Sequence, residues 1–150
     1  MHTPLLLRSS RELSGLSQAE AARRAGTAQS ALSAYEVGSK TPTDEVVARI
    51  LMAEGFRPSA LVVARRAEIK EVVARHNADR ARLFGSAARG DDTAASDIDL
   101  LVHFRAGASL FDLVELADAL ESLLGVSVDV VSEAGLSDRH SDVLLDAIEL

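Results

Sequence analysis

The sequence predicts two domains of different class: an all-α unit over residues 1–57 and an α+β unit over residues 58–150. Three observations lead there. Helix start and stop signals recur through the first 55 residues. After Asn77, strand-length apolar runs alternate with helical patterns, the signature of a mixed fold. The charge is also divided. Residues 1–78 carry 11 basic and 8 acidic side chains, net +3, whereas residues 79–150 carry 5 and 15, net −10. Such a split suggests two units with different partners.

Each helix of the first unit has its own punctuation. Pro4–Leu13 reads as a short helix, broken by Gly15. Ser17 and Glu20 form an S-x-x-E capping box opening a second helix, which Gly26 stops. Thr27 is placed to cap a third, ending at Gly38. Pro42 and Thr43–Asp44 open a fourth, which runs to Gly55. Leu61, Val62, Ala64, Ile69, Val72 and Val73 then fall at helical spacing, so one long helix is expected over about 58–76, with Pro58 in its first turn.

The second unit alternates. "ARLFGS" (81–86) and "DIDLLVHF" (97–104) read as strands, and "SLFDLVELADALESLLG" (109–125) as an amphipathic helix. "VSVDVVS" (126–132) is a β-branched strand, and "DVLLDAIEL" (142–150) reads as a last helix. The chain has no cysteine, so disulfides and thiolate zinc sites are excluded, and a reducing cytoplasm is the expected setting. No apolar run approaches the ~20 residues of a membrane span, and the apolar stretch near the start is too short for a signal peptide.

The chemistry concentrates in "LFGSAARGDDTAASDIDLLVHF", residues 83–104. Asp97 and Asp99, two apart on a strand, point to one face. Adjacent carboxylates repel unless a proton or a cation lies between them, and hard oxygen ligands select Mg²⁺ or Mn²⁺. Asp129, set among valines, completes a three-carboxylate cluster if its strand lies beside 97–104. Gly85 allows close backbone approach to a phosphate. Ser86 is placed to cap a short helix starting at Ala87, with Arg89 adding positive charge.

The ordered set Gly85, Ser86, Ala88, Arg89, Gly90, then Ser96, Asp97, Asp99 and later Asp129 resembles the polymerase-β-like nucleotidyltransferase superfamily. The resemblance spans about residues 68–150 and is strongest to the minimal nucleotidyltransferases, antitoxins paired with HEPN toxins. It implies nucleotide phosphates at Gly85, Ser86 and Arg89, and metal at Asp97, Asp99 and Asp129. Asp129 would activate the acceptor hydroxyl. The implied reaction transfers a nucleoside monophosphate, by analogy AMP from ATP or another NTP, to a hydroxyl of the HEPN toxin.

"LSQAEAARRAG", "S-x-Y-E-x-G" and a following Pro resemble the Cro/CI-type (XRE-like) helix-turn-helix family over about residues 5–55. A recognition helix in the major groove would present Thr27, Gln29, Ser30 and Ser33. Gln18, Arg23, Arg24 and Lys40 would grip phosphates. With only +3, one copy would bind operator DNA weakly, so a homo-oligomer, or a hetero-oligomer with the toxin, is expected. The alternatives are a regulator whose catalytic fold only senses nucleotide or binds toxin, and a transferase acting on a small molecule. His2, His76, His103 and His140 show no ligand spacing, although His103 shares the strand face of Asp99. Asp91 and Asp92 read as solvated loop charges. Asp112, Glu115, Asp118 and Glu121 read as a wet helix face or a surface for a basic partner.

Overall fold

A computed structural model of the chain describes residues 3–136 and 145–150. Four helices make the front unit: α1 (Thr3–Leu13), α2 (Gln18–Arg24), α3 (Gln29–Glu36) and α4 (Asp44–Ala53). They enclose Leu6, Leu7, Ala21, Ala22, Leu32, Val47, Ile50 and Leu51, all buried. Ser17 caps α2 as expected, accepting the Glu20 N–H at 3.2 Å. The Glu20 carboxylate does not return to Ser17; it lies between Arg23 (2.7 Å) and Arg24 (2.8 Å), which hold it down to about 2. Thr27 does not cap α3: the helix starts one residue later, with Ala28 at the N-cap and no side-chain bond, while the Thr27 N–H closes the preceding turn onto the Ala22 carbonyl at 2.9 Å. Thr43 caps α4 through the Val46 N–H.

Polar ties lock these helices together. Arg11 grips Glu36 with two bonds, at 2.6 and 3.0 Å, and the Gln18 amide donates to the same carboxylate at 2.9 Å. Burial pushes Glu36 up, but those hydrogen bonds outweigh it and hold the carboxyl below its ordinary range.

The expected long helix is two helices, α5 (Pro58–Ala64) and α6 (Arg66–Arg75), broken at Arg65 (φ −112, ψ 24). The apolar stripe continues, but its partners lie in two bodies. α5 packs on α1 and on the short helix at Gly85–Arg89, while α6 packs on the sheet and on the crossover helix. One straight axis does not serve both.

The sheet contains β1 (Ala78–Phe84), β2 (Ile98–Phe104), β3 (Val128–Ser132) and β4 (Ile148–Glu149), in the order β3-β2-β1-β4. α7 (Gly85–Arg89) links β1 to β2, and α8 (Leu110–Leu124) links β2 to β3. β1 and β2 are antiparallel, β2 and β3 parallel. A parallel pair needs a crossover, which α8 supplies. Leu83, Ile98, Leu100, Val102 and Val128 face Ile69, Val73, Leu116, Leu120 and Leu124 in the second part of the core.

β1 starts earlier than expected, because Asn77 turns the chain at φ 58 and Ala78 already pairs with Phe104. The expected last helix is corrected in part: Leu145 and Asp146 are helical, but the chain after them is not. Residues 142–144 lie outside the described residues, and Ile148–Glu149 is a strand antiparallel to β1, with Leu150 donating to the Ala81 carbonyl at 3.1 Å. Pairing along β1 satisfies backbone groups that an exposed strand edge leaves open. Among the described residues no helix is long and apolar enough to cross a membrane.

Candidate active site

β1 delivers the chain to Gly85, whose φ is +70, a conformation L side chains rarely adopt. A Cβ at this position would collide with the Asp99 carboxylate. Glycine is therefore required twice, by backbone and by space. α7 begins at Gly85 with Phe84 as its N-cap, so Ser86 sits inside the first turn and does not cap a helix from Ala87. The positive φ at Gly85 carries the chain straight from strand to helix, leaving no separate cap position.

Phe84 pairs with Asp99 across the antiparallel ladder, and Asp99 pairs with Asp129 across the parallel one. Residues in register on neighbouring strands share a face, so Asp99 and Asp129 point to the same side. Asp97 lies one residue before β2, on the same edge. Asp99 is half-buried, while Asp97 and Asp129 are exposed. Burial pushes the Asp99 carboxyl above its ordinary range, Asp129 and then Asp97 push it further, and Arg89 draws it back. The four side chains therefore act on one another.

Among the described residues no three His, Asp or Glu side chains are yet gathered into a metal-holding shell. The in-register pairing of Asp99 with Asp129 sets those two carboxylates side by side. Three carboxylates on one side of the sheet are the hard-oxygen donor set that a divalent magnesium or manganese ion takes. The residues fit such an ion.

Arg89 is exposed and pairs loosely with Asp91, Nε to Oδ2 3.4 Å. His103 shares the face of Asp99 but bonds Asp79 at 2.7 Å at the far end of the strand, away from the carboxylates. His2 and His140 lie outside the described residues. Asp112 lies on the wet face and also completes a capping box with Ser109, and Glu121 accepts the Val128 N–H at 3.0 Å.

Two features escaped the sequence reading. Asp92 is 1% exposed and accepts both the N–H and the hydroxyl of Ser59, so it is no solvated loop charge. Nothing local in "RGDD" separates it from Asp91. Glu133, in the 3-10 turn Glu133–Gly135 after β3, pairs with Arg80 (3.0 Å) and Arg82 (2.8 Å) on the carboxylate-bearing face of the sheet, where Leu101 is fully buried. The i, i+2 arginines of β1 were the available signal.

In the front unit, Gln29 and Ser30 are exposed in the first turn of α3, Thr27 and Ser33 are partly exposed, and Lys40 is exposed beyond it. Arg23 and Arg24 are exposed but engaged by Glu20, and the Gln18 amide is held by Glu36.

Comparison with known proteins agrees with this layout. A nucleotidyltransferase domain model matches residues 66–150 and a helix-turn-helix model matches residues 7–53. The chain belongs to the nucleotidyltransferase domain family and carries an XRE-type helix-turn-helix ahead of that domain. A solved minimal nucleotidyltransferase is 49% identical with TM-score 0.57, over 61% of this chain and 95% of that one. The protein adenylyltransferase MntA of Thermococcus cleftensis is 36% identical over 86 residues, 57% of this chain and 84% of the relative. A candidate protein adenylyltransferase of Methanocaldococcus jannaschii is 40% identical over 79 residues, 53% of this chain and 85% of the relative.

Proposed function

We propose that the chain is an antitoxin and autoregulator: a magnesium-dependent protein adenylyltransferase that modifies a HEPN-type toxin and binds operator DNA through its front unit. The single observation that carries the enzymatic part is the register Phe84–Asp99–Asp129, which gathers carboxylates beside Gly85–Ser86. Asp97 and Asp99 would hold the divalent ion, which when bound neutralises charge on the triphosphate and on the leaving pyrophosphate. The Gly85–Ser86 backbone and Arg89 hold the phosphates. The acceptor hydroxyl oxygen forms a bond to the α-phosphorus, the bond from that phosphorus to the bridging oxygen breaks, and pyrophosphate leaves. Asp129 takes the hydroxyl proton.

The exposure pattern suits this division. Half-buried Asp99 sits where an ion is enclosed, and exposed Asp129 lies on an edge strand that a protein hydroxyl reaches from outside. Exposed Gln29 and Ser30 would meet base edges.

The test incubates the protein with Mg²⁺, ATP labelled on the α-phosphate, and a HEPN toxin. Label transferred to the toxin by the wild type and not by Asp97→Asn supports the reading. Label on no partner, with nucleotide still bound, favours a sensing role.

A further inference from the structure

The loop joining α7 to β2 is held from both sides. From the front, Arg57 Nη1 donates to the Gly90 carbonyl at 2.8 Å. Ser59, in the first turn of α5, donates its N–H (2.8 Å) and hydroxyl (3.0 Å) to the buried Asp92 carboxylate. Further along, Thr93, Ala94 and Ala95 close an apolar cleft of about 400 Å³ against Val47, Leu51 and Met52 of α4. From the back, the N–H groups of Gly90 and Asp91 both converge on the Ser86 carbonyl, and Arg89 reaches Asp91. A Thr93–Ser96 turn then leads directly to Asp97.

We propose that this clasp couples the two units, so that a nucleoside triphosphate at Gly85–Arg89 changes the DNA affinity of the helix-turn-helix, and DNA changes the nucleotide affinity by the same factor. The proposal rests on the nucleotide-site reading above. A triphosphate competes with Asp91 for Arg89. Releasing Asp91 re-seats the turn on Ser86. Because the Gly90 carbonyl and the Asp92 carboxylate are tied down, the displacement passes to Arg57 and Ser59, and through α5 to α1, on which it packs. Charge-assisted hydrogen bonds, two of them on the buried Asp92 carboxylate, transmit such a shift because breaking them is costlier than moving with them.

The test uses the full chain, Mg²⁺ and a non-hydrolysable ATP analogue, read by amide hydrogen exchange. Amides of residues 86–91 report occupancy, and those of 7–13, in α1, report the front unit. In the wild type both sets change, the second at least threefold. In Asp92→Ala only the first changes, and Asp92→Asn, which keeps an acceptor for the Ser59 N–H, restores part of the second. Should Asp92→Ala unfold, Ser59→Ala, which removes only the hydroxyl, takes its place and weakens the coupling.

Wild-type protection at 86–91 with unchanged 7–13 overturns the coupling alone. No change at 86–91 overturns the nucleotide reading and the coupling with it. A duplex enriched by the wild type from a random-sequence pool supplies the DNA arm: its dissociation constant shifts threefold or more with the analogue, and not in Asp92→Ala. Equal constants with and without the analogue, or failure to enrich any duplex, overturn the proposal.

Discussion

Glu54 gives the most quantitative prediction. It ends α4 and is 6% exposed. One carboxyl oxygen accepts the Ser10 hydroxyl at 2.5 Å; the other is buried and has no hydrogen-bond partner. Burial is the largest influence and pushes the carboxyl up to about 7; the Ser10 bond opposes it, Glu36 adds to it and Arg11 offsets part. In the unfolded chain the same group ionises near 4.5. Between those values the folded state keeps a proton that the unfolded state has released. The contribution to stability is therefore complete below pH ~4.5, falls as pH rises, and is gone above pH ~7. At about 1.4 kcal/mol per pH unit, the loss is about 3 kcal/mol.

Urea unfolding from pH 5 to 8 measures it. The chain has one tyrosine and no tryptophan, and Tyr35 lies in α3, so tyrosine fluorescence reports the front unit. Glu54→Gln keeps the shape and cannot ionise. The wild type should lose about 3 kcal/mol relative to Glu54→Gln across this range. Parallel pH profiles for the two proteins would show that Glu54 does not stay protonated in the fold.

Asp99→Asn should reduce AMP transfer by about a hundredfold or more and leave the melting temperature equal or higher, because it removes a half-buried charge facing two others; differential scanning and a labelled-ATP assay read both. Gly85→Ala should cost at least about 1–2 kcal/mol from the left-handed backbone and abolish analogue binding by displacing Asp99, as calorimetry would show. Glu133→Gln should weaken two arginine contacts and destabilise the sheet unit by about 1–3 kcal/mol, visible as a lower urea midpoint by far-ultraviolet dichroism.

The alternation of strands and helices was legible because apolar spacing is local, and so was the constellation of Gly85, Ser86, Asp97, Asp99 and Asp129. The register that aligns Asp99 with Asp129 was not, since it depends on how α8 docks. The break at Arg65 was hidden by an apolar stripe that continues unbroken through two helices. Residues 148–149 carry a helical pattern, yet tertiary pairing with β1 makes them a strand, as short segments permit. Asp92 is recognisable only from its distant partner Ser59, 33 positions away. Thr27 failed as a cap because α3 starts one residue later, which puts Ala28 at the capping position.

The parallel pairing of β2 with β3 also has a consequence for synthesis. Asp97 and Asp99 leave the ribosome about thirty residues ahead of the partner that lines up with them, and the intervening helix must settle first. The four front helices, by contrast, are complete by residue 53. Chains emerge from the amino terminus and fold as units in that order. A nascent polypeptide therefore passes through a stage at which its leading module is finished while the acidic edge still lacks its last member.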